Sequence, residues 1–298
     1  MDRRLFLQSA VGLSLLPALP AGGDSPSPAP AAAEHPGGFA HLLECPLCWA
    51  EKCLTDPQTG EPFRANYAQR ILLTQSELRH VNQLHRRTGA STAQAILALH
   101  WAVTHPHSQV LCYAPSIQDG DAVWFRLEDF LKCSHPLNGC VRYLGSQRIE
   151  IGPGSLSSLI RRISPYQTQS RSDSPSADLT RSGLTGQHAD LLLVDNATWV
   201  PEYVWPYFKR LYSPSPTQPK GTRVRVYSTP AFSTEITQYA RLCLDPKFDK
   251  TWSRFHLASW DNPEPLREPG LWLNFHNEFQ ARFHPDVERH FRRLRLRG

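Results

Sequence analysis

Residues 85–92 read HRRTGAST, and the helical run STAQAILALHWAVTH (91–105) continues from there with apolar residues every three to four positions. That spacing predicts an amphipathic helix entered through Gly89. Two readings of the entry stay open. Ser91 and Thr92 are good helix-capping residues. Equally, a glycine before small hydroxylated residues is what a phosphate-holding loop presents, its free helix N–H groups aimed at the anion. Such a loop carries a lysine where this stretch has Ala90.

The segments around this stretch decide between folds. SQVLCYAPS (108–116) reads as a short buried strand and GDAVWFRLEDFLKC (120–133) as an amphipathic helix. RYLGSQRIEIGPGSLSSLI (142–160) predicts a hairpin or two short strands. HADLLLVDNATWVP (188–201) holds the clearest strand, an unbroken apolar run that ends on Asp195. EYVWPYFKRLY (202–212) predicts a helix interrupted by Pro206, TRVRVYSTP (222–230) a strand, and WSRFHLASWDNP (252–263) another. Between these lies QTQSRSDSPSADLTRSGLTGQ (167–187), polar and read as a loop. Upstream, NYAQRILLTQSEL (66–78) has helical spacing after the turn residues of DPQTGEPF (56–63). Strands that are apolar throughout and alternate with helices imply an α/β fold, a mainly parallel sheet covered on both faces. In such sheets ligands bind beyond the carboxyl ends of the strands. Gly89, then Asp195 and Asn196, then Ser228, Thr229 and Pro230 fall there in turn.

The bulk numbers fit one large or two small soluble units: 298 residues, 40% hydrophobic and 20% charged. A net charge of +5 permits contact with nucleic acid without requiring it. Much of the excess sits in ERHFRRLRLRG (288–298), read as a solvated tail ahead of an anion-binding patch. No run of 18 apolar residues exists, so no mature membrane span is expected. MDRRLFLQSAVGLSLLPALPAGG (1–23) has the layout of a secretory signal, and Arg3-Arg4 before Leu5-Phe6-Leu7 resembles a twin-arginine signal. The expectation is an exported, periplasmic protein, with a cytoplasmic one as the alternative. Pro, Ala, Ser and Gly dominate to residue 38, a linker composition, so residues 1–38 are set apart as signal and linker.

HLLECPLCWAEKC (41–53) places Cys45, Cys48 and Cys53 close together with His41 upstream. A Cys-x-x-Cys turn can aim two thiolates at one zinc ion, but no second pair follows to complete it. Three readings remain open: a Zn2+ site, a disulfide favoured by export, or buried free thiols. His100, His105 and His107 read as surface histidines around a helix end, and Trp199, Trp205 and Trp260 as packing residues.

From about residue 63 to 279 the chain resembles the ATPase domain of the phage terminase large subunit. HRRTGAST is similar to that family's Walker A loop, with Arg86 at its arginine position and Ala90 at its lysine position. YAQRILL (67–73) resembles the adenine-side glutamine motif, which points to Gln69. LTRSGLTGQHADLLLVDNATWVPEYVW (179–205) resembles the arginine-glycine loop followed by Walker B, VYSTP (226–230) the coupling motif, and NEFQARF (277–283) the closing glutamate-aromatic element. The resemblance implies a P-loop NTPase of the RecA/ASCE type, a three-layer fold over residues 63–265. A Cys-bearing segment (39–62) precedes it and a basic tail (266–298) follows. It further implies ATP at Gln69, Arg86, Gly89, Ala90, Ser91 and Thr92, Mg2+ on Ser91 and Asp195, coupling through Ser228, Thr229 and Pro230, and DNA as a partner.

The departures bear on chemistry. Ala90 removes the lysine that balances phosphate charge, leaving backbone dipoles, magnesium and Arg86. Asn196 stands where the family has its catalytic glutamate, and an amide cannot take a proton from water. Each such group typically supplies about 10²-fold or more in rate. The expectation is therefore a catalytically impaired ATPase, a pseudoenzyme in the limit. The alternative is an exported, non-enzymatic binding protein that reuses the fold. The family's second domain, a nuclease with clustered acidic residues, finds no counterpart after residue 279 and is expected to be absent.

Overall fold

Four consecutive residues, Leu191 to Val194, are buried, which places their strand in the middle of the sheet with both faces covered. The computed structural model of the chain describes residues 39–84, 88–115, 117–137, 139–164, 184, 188–214, 221–229, 237–245 and 249–257. The strands are β1 (Arg79–Leu84), β2 (Gln109–Tyr113), β3 (Val141–Tyr143), β4 (Arg148–Ile151), β5 (Ser158–Ile163), β6 (Leu191–Val194), β7 (Arg223–Ser228) and β8 (Ser253–Leu257). They form one sheet in the order β3-β4-β5-β2-β6-β7-β1-β8. Every pairing from β5 through β8 is parallel, and β4 pairs antiparallel with β3 and β5 at one edge.

The helices are α1 (Phe39–Glu44), α2 (Pro46–Cys53), α3 (Tyr67–Thr74), α4 (Ala90–Thr104), α5 (Ile117–Cys133), α6 (Trp205–Tyr212) and α7 (Gln238–Leu244). Two hydrophobic clusters define the layers, because successive strand residues face opposite sides of a sheet. Val110, Leu191 and Leu193 pack with Leu72, Ile96, Leu99 and Leu127 of α3, α4 and α5 on one face. Leu111, Leu192 and Val194 pack with Phe208 of α6 and Tyr239 and Leu242 of α7 on the other. The expected α/β architecture, a mainly parallel sheet between two helical layers, is what the structure has.

Two local expectations change, and one strand was not foreseen. The strand β1 was not legible, because RHVNQL puts His80 and Asn82 in the interior; Asn82 accepts from Gln75 Nε2 at 2.6 Å and donates to the Val226 carbonyl at 3.3 Å. Helix α4 is not amphipathic: residues on all sides of it are buried, since it sits under α3 and α5 against the sheet. Pro206 does not interrupt a helix but starts one, lying in the first turn of α6 where its missing N–H costs nothing. The 142–160 stretch supplies β3 and β4 as a hairpin and only opens β5.

Residues 1–38 and 258–298 lie outside the described residues, as do Arg86, Pro230, Trp260, most of the 167–187 loop and the NEFQARF element. Among the described residues no helix is long and apolar enough to cross a membrane.

Candidate nucleotide site

The order of strands fixes where a ligand can sit. From β1 the chain passes through α4 to β2, crossing over β7 and β6, so the loop after β1 lies beside the ends of β7 and β6. Residues from these three strand ends line one cleft of about 590 Å³, closed on its far wall by α5.

Thr88 and Gly89, just ahead of α4, line the cleft on one side. Gly89 is the helix N-cap, in the left-handed region at φ 78°, and offers no side-chain cap. A Cβ there would stand 2.3 Å from Gln69 Nε2, so a larger residue must push that amide aside as well as take a left-handed backbone. Neither Ser91 nor Thr92 is the capping residue; both lie in the first helical turn and line the cleft. The carbonyl of Gly89 accepts the helix bond from Ala93 at 2.9 Å, which leaves the N–H groups ahead of Ala93 as the unpaired start of the helix ladder. Of the two readings of HRRTGAST, side-chain capping by Ser91 or Thr92 is not what the structure has.

Gln69 lies behind this loop and does not line the cleft. It completes a capping box with Asn66 at the start of α3, and its Nε2 reaches the Gly89 carbonyl at 3.4 Å. Asn66 Nδ2 donates to the Thr88 carbonyl at 3.2 Å. The helix cap of α3 thus also braces the loop.

Asp195 follows β6 and is 6% exposed. Its Oδ1 accepts from Gln94 Nε2 at 2.8 Å, and Ser91 Oγ lies 3.5 Å from its Oδ2. Asn196 sits in the left-handed region at φ 49°, a conformation asparagine tolerates, and opens the turn at 197–199. That turn is tied to the end of β7: Ser228 Oγ accepts from Thr198 N at 3.2 Å, and Thr198 Oγ1 donates to the Thr229 carbonyl at 2.8 Å. Ser228 and Thr229 line the cleft beside Asp195 and Asn196.

Sequence reading missed the α5 wall. Phe125, Arg126 and Asp129 border the cleft; Phe125 is 57% exposed, and Arg126 Nη1 lies 3.8 Å from Asp129 Oδ2. Arg126 is the cationic side chain on the described wall. The helical period of α5 gave their shared side, but only the strand order shows that this side faces Ala90. Gln94 was also missed, although it lies one turn beyond Ser91 on the same helix side.

The cysteine segment is elsewhere, packed on the outer side of α4. There His41 Nε2 lies 3.1 Å from Cys48 Sγ, and Cys45 Sγ lies 2.8 Å from Cys48 Sγ. Cys53 does not join them; it is buried in the core on α2, and burial pushes its thiol up to about 11. The expected trio of thiols is therefore two thiols and an imidazole. His100 is likewise no surface group: it is buried, with its ring 5.6 Å edge-on to Trp49 and its Nε2 3.3 Å from the Leu42 carbonyl. Trp205 is packed in the interior, whereas Trp199 is 69% exposed.

No family model matches the chain, and no curated protein matches its sequence. Solved structures do match in shape. A single-site variant of the large terminase ATPase domain of Thermus phage P74-26 superposes with a TM-score of 0.51 at 18% identity, over 76% of this chain and 91% of that one. The HK97 bacteriophage large terminase gives 0.57 at 13% identity, over 85% and 52%. The large terminase of a thermophilic bacteriophage, in complex with ADP, gives 0.50 at 15% identity, over 68% and 48%. The chain spans about half the length of the last two. What these likenesses establish is the fold: an α/β sheet of the P-loop NTPase type, shared with the ATPase domains of phage large terminases.

Proposed function

We propose that this chain is a terminase-type ATPase domain that keeps its nucleotide cleft and has lost most of its hydrolytic power. The observation that carries the reading is the convergence on one cleft of Gly89, Ala90, Ser91 and Thr92 with Asp195, Asn196, Ser228 and Thr229. That a terminase of the same fold was solved with ADP supports a nucleotide as the occupant.

The residues present fit a polyphosphate. The first residues of α4 line the cleft, so its first N–H groups stand there with the positive end of the helix dipole behind them. They also fit magnesium: Ser91 Oγ and the Asp195 carboxylate are hard oxygen donors brought together at one point. Bound there, Mg2+ supplies charge balance for the phosphates. Gln94 fixes the Asp195 carboxylate from the side away from Ser91.

What is weak is the chemistry. Ala90 contributes a methyl where a cation is needed, and the remaining cation on the described wall, Arg126, has Asp129 as its neighbour. Asn196 can orient a water molecule through its amide but cannot accept its proton. The ties from Thr198 to Ser228 and Thr229 would carry a displacement of the Asp195–Asn196 turn into β7, the coupling role the family resemblance gives to VYSTP. DNA as the object of that coupling belongs to the same proposal.

Equilibrium titration of the full chain with ATP and ADP, with and without Mg2+, tests the cleft. Magnesium-dependent binding that is lost in Asp195→Ala supports the reading. Failure to bind either nucleotide, or binding indifferent to Asp195, overturns it.

A further inference from the structure

We propose that His41, Cys45 and Cys48 form a metal site of two thiolates and one imidazole, of the kind that selects zinc, which staples α1 to α2. The donor atoms Nε2 of His41 and Sγ of both cysteines all lie within 4.8 Å of one another. They come from a single local arrangement. Cys45 is the N-cap of α2, with Pro46 behind it in the first turn, and its sulfur accepts from the Cys48 N–H at 3.3 Å. Cys48 returns to the same side one turn later. His41 reaches them from α1 because the Cys45 N–H continues the preceding helix, bonding to the His41 carbonyl at 3.0 Å.

The geometry favours a metal over a disulfide. A Cys-x-x-Cys turn can serve either. A disulfide, however, makes no use of a ring nitrogen 3.1 Å from one sulfur, whereas a metal site needs a third donor placed in that way. Two sulfurs on a tetrahedral zinc stand about 3.8 Å apart, given Zn–S near 2.3 Å. The observed 2.8 Å therefore opens by about 1 Å when an ion enters, which side-chain torsions supply. Thiolate and imidazole donors select zinc over the hard cations that Ser91 and Asp195 suit. Among the described residues no further His, Cys, Asp or Glu joins the group. The site has a structural consequence. Trp49 of α2 packs on His100, and the Leu42 carbonyl of α1 meets His100 Nε2. Fixing α1 to α2 thus fixes both to α4, the helix that begins at the nucleotide loop.

The test uses the full chain, purified under reducing conditions and titrated with Zn2+ and with Co2+. The expected result is one equivalent bound per chain, with a near-ultraviolet thiolate-to-cobalt band and the visible bands of a four-coordinate ion. Cys45→Ser with Cys48→Ser should abolish both. Losing an outer partner of a metal ligand already costs about 10–100-fold in affinity, so His41→Ala should weaken binding by at least that much. Cys133→Ser should change nothing. If the ligand variants fail to fold, alkylation of the native chain decides the matter: zinc should protect Cys45 and Cys48, and a chelator should expose them while Cys133 reacts alike in both. Absence of stoichiometric binding, binding retained without Cys45 and Cys48, or a Cys45–Cys48 disulfide in the chain isolated from its own host would overturn the proposal.

Discussion

Gln94 holds Asp195: its Nε2 donates to Oδ1 at 2.8 Å, one helical turn beyond the residue, Ser91, whose hydroxyl lies 3.5 Å from the other carboxylate oxygen. A carboxylate this buried needs partners, and a hydrogen bond to a charged group contributes about 1.5–3 kcal/mol. Gln94→Leu should lower the unfolding free energy by roughly that amount, read from urea melts. A loss under about 0.5 kcal/mol would mean that Asp195 is held by other groups.

Gly89 is constrained twice, by its positive φ and by the amide of Gln69. Gly89→Ala should destabilise the chain by about 1–3 kcal/mol, combining left-handed strain with overpacking. Adding Gln69→Ala removes the collision while the strain remains, so the double variant should recover only part of the loss relative to Gln69→Ala alone. Full recovery would show that the backbone conformation at 89 is not the constraint.

Two interior histidines make the fold sensitive to acid. Burial lowers His100 to about 3, and burial together with the Arg225 charge lowers His80 to about 4. Both are neutral in the folded chain, whereas in the unfolded chain they titrate near the ordinary value of about 6.5. Above that value their contribution is intact. As pH falls below it the unfolded state takes up protons that the folded state refuses, and stability drops by up to about 1.4 kcal/mol per pH unit for each histidine. The loss continues until the folded values are reached. Urea midpoints between about pH 7 and pH 5 should fall, and His100→Gln should flatten the slope. An unchanged slope in that variant would place the acid sensitivity elsewhere.

Tyr239 joins three elements. Its hydroxyl lies 3.1 Å from the Asn82 carbonyl at β1 and 3.1 Å from the Ser228 carbonyl at β7, while its ring packs from α7. Tyr239→Phe should cost about 1 kcal/mol, with a larger effect if both carbonyls are left without a donor. Calorimetry of the full chain measures it, and a neutral result would show that neither carbonyl depends on the phenol.

How much of this was legible depended on chemistry that sequence patterns carry. The runs LLLV and QVLCY announce themselves because strands covered on both faces have apolar residues at nearly every position. The strand that carries the loop does not, since β1 pairs Asn82 and His80 Nε2 with side chains and a carbonyl that no local pattern reveals, among them Glu77, Gln75 and the Val226 carbonyl. Local spacing also cannot show which residue caps a helix. Ser91 and Thr92 look like caps, yet Gly89 takes that place through its backbone. The pairings of Gln94 with Asp195 and of Arg126 with the cleft wall follow from strand order, which only the assembled sheet reveals. Cys53 failed to join Cys45 and Cys48 for a simple reason: it lies further along α2, on the side turned into the core.

The central claim is that the cleft is kept and its chemistry impaired, and phosphate release from ATP under single-turnover conditions tests it most directly. The native chain should be compared with the Ala90→Lys, Asn196→Glu double variant, both saturated with Mg2+ and ATP. The account predicts that both bind and that the variant is faster by about 10²-fold or more, since it regains a charge-balancing cation and a general base. Equal rates, with the native chain hydrolysing ATP as fast as the restored one, would contradict it.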